Sequence, residues 1–197
     1  MAFGYPVLLE VRGRRVVVIG ALALAERKDV ALREAGAEVE VFGNGGWRPV
    51  DLDDAFLCIA SSDDPSERDA IARAARGRGV LVNVMDDVPN CDFAAPAVVR
   101  RGDLVIAIGT GGRSPAVARK VREDLEFRYG PEWDEVLEIV GRVRAVTLRR
   151  IPDLVARTRR WRRALNLDEA AALVRAGRGD ELRRRLLGRL LENEEVA

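Results

Sequence analysis

The stretch RVVVIG at residues 15–20 is a short β-branched run that ends in glycine, and it is typical of a strand buried on both faces of a sheet. Strong helix formers follow over 23–34 and stop at residues 35–36, Ala-Gly, before a second apolar run, EVEVF, at 38–42. Strand, helix and strand in this order make a βαβ unit, whose right-handed crossover brings the two strands together in parallel. The stretch therefore predicts an α/β fold of the Rossmann type.

Three further apolar runs continue the pattern, at 55–60, 80–84 and 103–108. A helix is predicted over about 65–78, with the polar residues from Ser62 to Asp64 suited to cap its start. Five strands joined by helical crossovers favour a doubly wound parallel sheet. We assign this Rossmann-type, NAD-binding-like domain to residues 1–111.

The pattern after Gly112 is helical only. Ser114 and Pro115 are a typical N-cap and first helical residue. The predicted helices cover 115–129, 132–150, 153–165, 167–176 and 179–191. We divide this part into a helical dimerisation region at 112–150 and a C-terminal helical domain at 151–197.

The amino-acid composition excludes several classes of functional site. The chain of 197 residues contains no histidine, which excludes histidine metal ligands and imidazole acid–base catalysis. Its 33 basic and 32 acidic residues give a net charge of +1, so no overall attraction to nucleic acid is expected. Cys58 and Cys91 have no metal-binding spacing. No targeting segment or membrane span is evident, and we expect a cytoplasmic protein.

The dinucleotide fingerprint is incomplete. Its three glycine positions are occupied by Gly20, Leu22 and Ala25, and the middle one should let a pyrophosphate approach bare backbone. No acidic residue ends the second strand, because Phe42-Gly43-Asn44 stands where a ribose-binding carboxylate is expected. These residues leave nucleotide binding and a purely structural βαβ unit equally open. Leu22 predicts that NAD binds weakly or not at all.

Two loops are candidates for chemistry. Asp86 follows the run at 80–84, at the strand end where open α/β sheets bind ligands, and it could act as a base, collect a metal or cap the next segment. The glycine-rich segment 109–115 could bind an anion with its backbone N–H groups and Arg113, or join two domains. The arginine-rich run 157–163 is interpreted as a solvated helix face rather than a nucleic-acid site.

Seven segments in this order resemble the precorrin-2 dehydrogenase and sirohydrochlorin ferrochelatase family, the dehydrogenase–chelatase module of siroheme synthase. They are YPVLLEVRG at 5–13, AERK at 25–28, EAGA at 34–37, SSDD at 61–64, NVMD at 83–86, GGRSPAVAR at 111–119 and RWRR at 160–163. The resemblance covers essentially the whole chain. It implies NAD-dependent oxidation of precorrin-2 to sirohydrochlorin, insertion of ferrous iron to give siroheme, and a homodimer.

The resemblance also implies roles for residues. Asp86 matches an aspartate that acts in both steps, and it would be the transient ligand of the iron substrate. The tetrapyrrole-binding positions would be Asn83, Thr110, Gly111, Gly112, Arg113 and Ser114. The NAD-binding positions would be Gly20, Ala23, Leu24, Asn44, Gly45 and Ser62.

Three alternatives stay open. Relatives usually have glycine at the position of Leu22, and the segment 43–54 is shorter than theirs. Both differences affect the NAD half of the site, so a family member that has lost NAD and acts as a chelatase or tetrapyrrole-binding protein is one alternative. A Rossmann-type regulatory or sensor module and a simple interaction protein are the others.

Overall fold

The computed structural model describes residues 5–20 and 22–191, without the side chains of residues 22–27. Two compact units can be distinguished. The first unit contains the chain up to Pro96 together with Gly109–Ser114, and the second contains Ala97–Ile108 and the chain from Pro115 on. The division into 1–111, 112–150 and 151–197 stays a prediction.

The first unit is built on a parallel sheet of four strands. These are β1 (Arg15–Ile19), β2 (Glu38–Phe42), β3 (Leu57–Ala60) and β4 (Leu81–Val84), in the order β2-β1-β3-β4. Helix α1 (Leu22–Glu34) connects β1 to β2, and helix α2 (Pro65–Arg76) connects β3 to β4. Because β1 pairs with both β2 and β3, the strand order reverses beside it. The predicted Rossmann-type α/β architecture is confirmed.

Strand β1 is buried on both faces, as its unbroken β-branched run predicted. Val17 and Ile19 pack in one core with residues of α2, including Ile71. Val16 and Val18 face a second core, against which Leu32 of α1 packs. The two helices therefore cover opposite faces of the sheet, and the carboxyl ends of its strands are left for the connecting loops.

The prediction that residues 103–108 form a fifth strand of the parallel sheet is wrong. Strand β6 (Leu104–Ile108) pairs antiparallel with β5 (Ala97–Arg101), a strand that the sequence pattern did not indicate. Gly102, with a φ of +53°, lies in the two-residue connection between them, as in a tight hairpin. This local turn pairs the two strands with each other within the second unit.

Five helices complete the second unit. They are α3 (Pro115–Arg128), α4 (Glu132–Arg150), α5 (Leu154–Ala164), α6 (Leu167–Arg175) and α7 (Gly179–Leu191). Helices α5 and α6 begin at side-chain caps, where Asp153 accepts from the N–H of Ala156 and Asn166 accepts from that of Glu169. Within the described residues, no helix combines the length and apolar character that crossing a bilayer requires.

Part of the predicted dimerisation region 112–150 is buried inside the second unit. Val136, inside the predicted dimerisation region 112–150, is only 1% exposed and lies in the core formed by α4 to α7. Val140 packs against the same core. Val117 and Val121 of α3 are 53% and 38% exposed. The apolar positions of α4 therefore stabilise the unit itself, whereas those of α3 lie at its surface.

Candidate functional site

The carboxyl ends of β1 and β3 approach each other at the point where the strand order reverses. Gly20, directly after β1, has a φ of +149° and donates its N–H to the carbonyl of Phe42 at 2.9 Å. A Cβ at Gly20 would lie 2.5 Å from Oγ of Ser61. Only glycine fits there, because a side chain would collide with the loop after β3. This crevice is the position at which doubly wound sheets bind nucleotides.

The structure brings the ends of three neighbouring strands to this crevice. Gly20 lies at the end of β1, Asn44 and Gly45 lie in the loop after β2, and Ser62 lies after β3. The other two expected NAD-binding positions, Ala23 and Leu24, belong to the first turn of α1. Their side chains and that of Leu22 lie outside the described residues.

Glu67 is a residue of this site that the sequence analysis missed. One oxygen of its carboxylate accepts from the N–H of Gly45 at 2.8 Å and from Nε1 of Trp47 at 3.0 Å. The other accepts from Oγ of Ser62 at 2.6 Å. The Ser62 hydroxyl and then the Gly45 N–H hold the pKa of Glu67 below its ordinary value. A carboxylate from α2 thus connects the loop after β2 to the loop after β3.

The sequence did contain a signal at Glu67, but that signal predicts a helix cap and not a binding site. Asp64 caps α2 by accepting from the N–H of Ser66, so Glu67 is the third residue of the helix. At this position a Glu usually turns back to the N–H of the cap residue. Here Ser62 and Gly45 donate to its oxygens instead. These bonds form only because the loops after β2 and β3 lie close together in the folded structure.

Asp86 follows β4 with an exposed side chain and a φ of +59°, one of two non-glycine residues in the described chain with a left-handed backbone. This conformation costs free energy, and aspartate tolerates it better than most residues. The structure gives Asp86 no side-chain partner among the described residues. Its neighbour Asp87 differs, since Oδ2 of Asp87 accepts from Nε of Arg68 at 3.0 Å and from Nδ2 of Asn90 at 3.1 Å. Of the two adjacent carboxylates, only that of Asp86 faces solvent unpaired.

Asn83 of β4 is 8% exposed and faces the segment that follows. Its Nδ2 donates to the carbonyl of Phe93 at 2.8 Å. Cys91, in the same segment, donates from Sγ to the carbonyl of Val84 at 3.0 Å. These contacts hold both ends of the loop that contains Asp86. The geometry favours a supporting function for Asn83, whose amide donor is already in use.

The glycine-rich segment forms a tight turn from Thr110 to Arg113. Gly111 and Gly112 both have positive φ, 61° and 78°, and the N–H of Arg113 donates to the carbonyl of Thr110 at 3.1 Å. Oγ1 of Thr110 accepts from the N–H of Ser114 at 3.3 Å. A Cβ at Gly112 would lie 3.5 Å from Cγ2 of Val88. The turn therefore lies beside the loop that contains Asp86, and Arg113 on it is exposed.

Neither the buried thiol of Cys58 nor a metal-binding cluster supplies a further reactive group in the described chain. Burial raises the pKa of Cys58 to about 12, so this thiol is not a nucleophile near neutral pH. Among the described residues, no group of three or more His, Cys, Asp or Glu side chains is placed to hold a metal ion. One chemically available carboxylate of the strand-end loops is thus that of Asp86, whose loop lies beside the glycine-rich turn.

Comparisons with known proteins agree with this arrangement. A family model described as "Putative NAD(P)-binding" matches residues 7–97, and one described as "Sirohaem biosynthesis protein central" matches residues 101–126. The chain is 34% identical to siroheme synthase 1 of Pectobacterium atrosepticum and 33% identical to siroheme synthase of Sodalis glossinidius, over 96% and 88% of its length. The family model that matches residues 7–97 includes the loops after β1, β2, β3 and β4.

The alignments cover 43% and 41% of these two relatives, so the chain spans about two fifths of their length. Among solved structures, that of "SirC, precorrin-2 dehydrogenase" superposes with a TM-score of 0.72 at 20% identity. The superposition covers 93% of this chain and 98% of that one. At this identity the likeness establishes a common fold.

Proposed function

The chain belongs to the siroheme synthase family, and from this membership we propose that it oxidises precorrin-2 to sirohydrochlorin with NAD. The matches to an NAD(P)-binding family and to a sirohaem-biosynthesis family support the two halves of the proposal. The observation that carries it is Asp86, an exposed and unpaired carboxylate among the described residues, on a left-handed backbone beside the dinucleotide-type crevice.

The oxidation removes two hydrogens from the tetrapyrrole, one as hydride and one as a proton. Bound NAD supplies the acceptor for the hydride. Asp86 accepts the proton, since its oxygens have no partner in the described structure. Asp87 does not suit this task, because its carboxylate holds Arg68 and Asn90 in place.

Apart from Leu22, the residues around the crevice suit a dinucleotide. The close approach at Gly20 leaves no room for a Cβ, as phosphate-binding turns require. Gly20, the first turn of α1 with Ala23 and Leu24, and Asn44, Gly45 and Ser62 would hold NAD. The turn from Thr110 to Ser114, with the exposed Arg113, would contact carboxylates of the tetrapyrrole.

Iron insertion is a second candidate activity that the same observation favours. When ferrous iron enters sirohydrochlorin as a substrate, two pyrrole N–H protons leave the macrocycle. An unpaired carboxylate at its edge accepts such a proton and contacts the incoming cation transiently. Asp86 would perform both functions, without a resident metal.

Turnover of the purified chain tests the proposal. With precorrin-2 and NAD we expect NADH to appear together with the absorption spectrum of sirohydrochlorin. With sirohydrochlorin and ferrous iron under anaerobic conditions, we expect the siroheme spectrum to develop faster than without protein. A folded chain that binds tetrapyrrole but produces no NADH contradicts the dehydrogenase and leaves the chelatase or carrier. A chain that binds neither ligand favours the regulatory or interaction alternatives.

A further inference from the structure

We infer that Glu67 determines which dinucleotide the chain uses, by placing a negative charge on the adenosine side of the crevice that favours NAD and disfavours NADP. This inference rests on the proposed function and concerns the same site. The matching family is described as binding NAD(P), which leaves the choice between the two nucleotides open. The two differ only in the 2′-phosphate of the adenosine ribose.

The position of Glu67 supports the inference. In Rossmann folds an acidic residue at the end of the second strand accepts hydrogen bonds from the ribose hydroxyls, and such a residue is missing after Phe42. The structure supplies a carboxylate there from another element. Glu67 of α2 accepts from the N–H of Gly45, three residues beyond the end of β2, at 2.8 Å. Glu67, from a helix later in the chain, thus takes the place of the acidic residue expected at the end of β2.

The hydrogen bonds of Glu67 keep this charge in place. Trp47, Gly45 and Ser62 donate to it from both sides of the crevice, at 2.6 to 3.0 Å. These three donors stabilise the ionised form, so the carboxylate stays charged at neutral pH. A nearby 2′-phosphate would meet a charge of the same sign, whereas a ribose hydroxyl would meet an acceptor.

The arginine of the loop after β2 is paired with another carboxylate. Arg48, in the same loop after β2, places its guanidinium 3.1 Å from Oδ1 of Asp51. The backbone N–H of Arg48 also donates to Oδ2 of Asp51 at 2.6 Å. An arginine that accommodates a 2′-phosphate has to be available to it. Here the pairing with Asp51 engages that arginine.

The test is a comparison of NAD and NADP binding by calorimetry on the full chain, for wild type, Glu67→Gln and Asp64→Asn. Glutamine has the volume of Glu67 and can still accept from Gly45 and Trp47. Asp64→Asn removes a charge three residues away and keeps a good helix cap. We expect wild type to bind NAD at least about tenfold more tightly than NADP. Glu67→Gln should reduce this preference by about tenfold, mainly through tighter NADP binding, and Asp64→Asn should preserve it.

Thermal unfolding of the three proteins shows whether each variant folds. Equal weakening of both nucleotides in Glu67→Gln would mean that Glu67 only supports the loops, and would overturn the inference. Equal binding of NAD and NADP by wild type would also overturn it, while leaving the proposed dehydrogenase intact. A wild-type chain that binds neither nucleotide would overturn both.

Discussion

Asp86 and Asp87 are adjacent in the sequence, but the structure gives them different surroundings. The exposed carboxylate of Asp86 is available for proton transfer, whereas that of Asp87 links Arg68 of α2 to the turn at Asn90. Removing a general base usually costs about 10²- to 10⁴-fold in rate. Removing one member of a partly buried ion pair costs stability, by about 1–3 kcal/mol. Substituting each aspartate in turn therefore separates an effect on catalysis from an effect on stability.

We expect Asp86→Ala to lower turnover of precorrin-2 by about 100-fold or more, with little change in the unfolding temperature. Asp87→Ala should lower the unfolding temperature while keeping much more of the activity. Steady-state turnover and thermal unfolding of both variants provide the measurement. Near wild-type turnover in Asp86→Ala would remove Asp86 from the mechanism.

From the sequence we expect Leu22 to weaken the binding of NAD. A side chain at the middle position of the fingerprint separates a pyrophosphate from the backbone N–H groups at the start of α1. Each hydrogen bond to a charged acceptor contributes about 1.5–3 kcal/mol. We expect Leu22→Gly to bind NAD at least about tenfold more tightly than wild type, measured by calorimetry. Low-micromolar binding by wild type, unchanged in Leu22→Gly, would show that the leucine does not obstruct the site.

At the scale of elements, helices α6 and α7 are connected by a cluster of arginines around one carboxylate. Glu169 of α6 accepts from Arg189 and Arg185 of α7, at 2.6 to 3.0 Å. The two guanidinium groups, Arg189 first, lower the pKa of Glu169 from 4.5 to about 2. Because the folded pKa is the lower one, this stabilisation is fully present above the unfolded value and is lost as the pH falls toward the folded value.

We expect the free energy of unfolding to lose about 1 kcal/mol from this cluster between pH 5 and pH 2, an amount reduced by solvent screening at the surface. Glu169→Gln should be less stable than wild type at pH 7. The difference between the two proteins should shrink as the solution is acidified. Urea unfolding at several pH values measures it. A difference that does not change with pH would assign the effect to packing rather than charge.

For the whole molecule, the exposed apolar side chains of α3 are relevant to the predicted homodimer. Val117, Val121 and Phe127 are 53%, 38% and 94% exposed on this helix. Burying such side chains between two copies is favourable, because it removes apolar area from water. We expect the wild type to sediment as a dimer at micromolar concentration. Val121→Asp should shift it toward the monomer at unchanged helix content.

Another exposed residue of α3 serves as the control for the dimer. Glu123→Gln, on the same helix, removes an exposed charge without adding one to an apolar position. This variant should sediment like wild type. A wild-type chain that is monomeric at micromolar concentration would contradict the predicted homodimer.

The sequence by itself determined the elements whose signals are local. Helices α4 and α7 begin and end where they were predicted, since apolar periodicity, glycine and proline act on the backbone within a few residues. The β-branched run of β1 likewise predicted a strand buried on both faces. The order of segments was also enough to indicate the family.

Only the tertiary structure decided which parts of the chain meet. The strand at 104–108 was predicted, but its antiparallel partner was not, because apolar alternation does not encode which strand pairs with which. The carboxylate of Glu67 contacts the loop after β2, although Glu67 lies on α2, 22 residues after Gly45. Arg68 and Asn90 engage Asp87 and leave Asp86 unpaired in the described chain. The Glu67 and Arg68 contacts join residues 22 and 19 positions apart, and their free energy is fixed only when the sheet and its helices pack together.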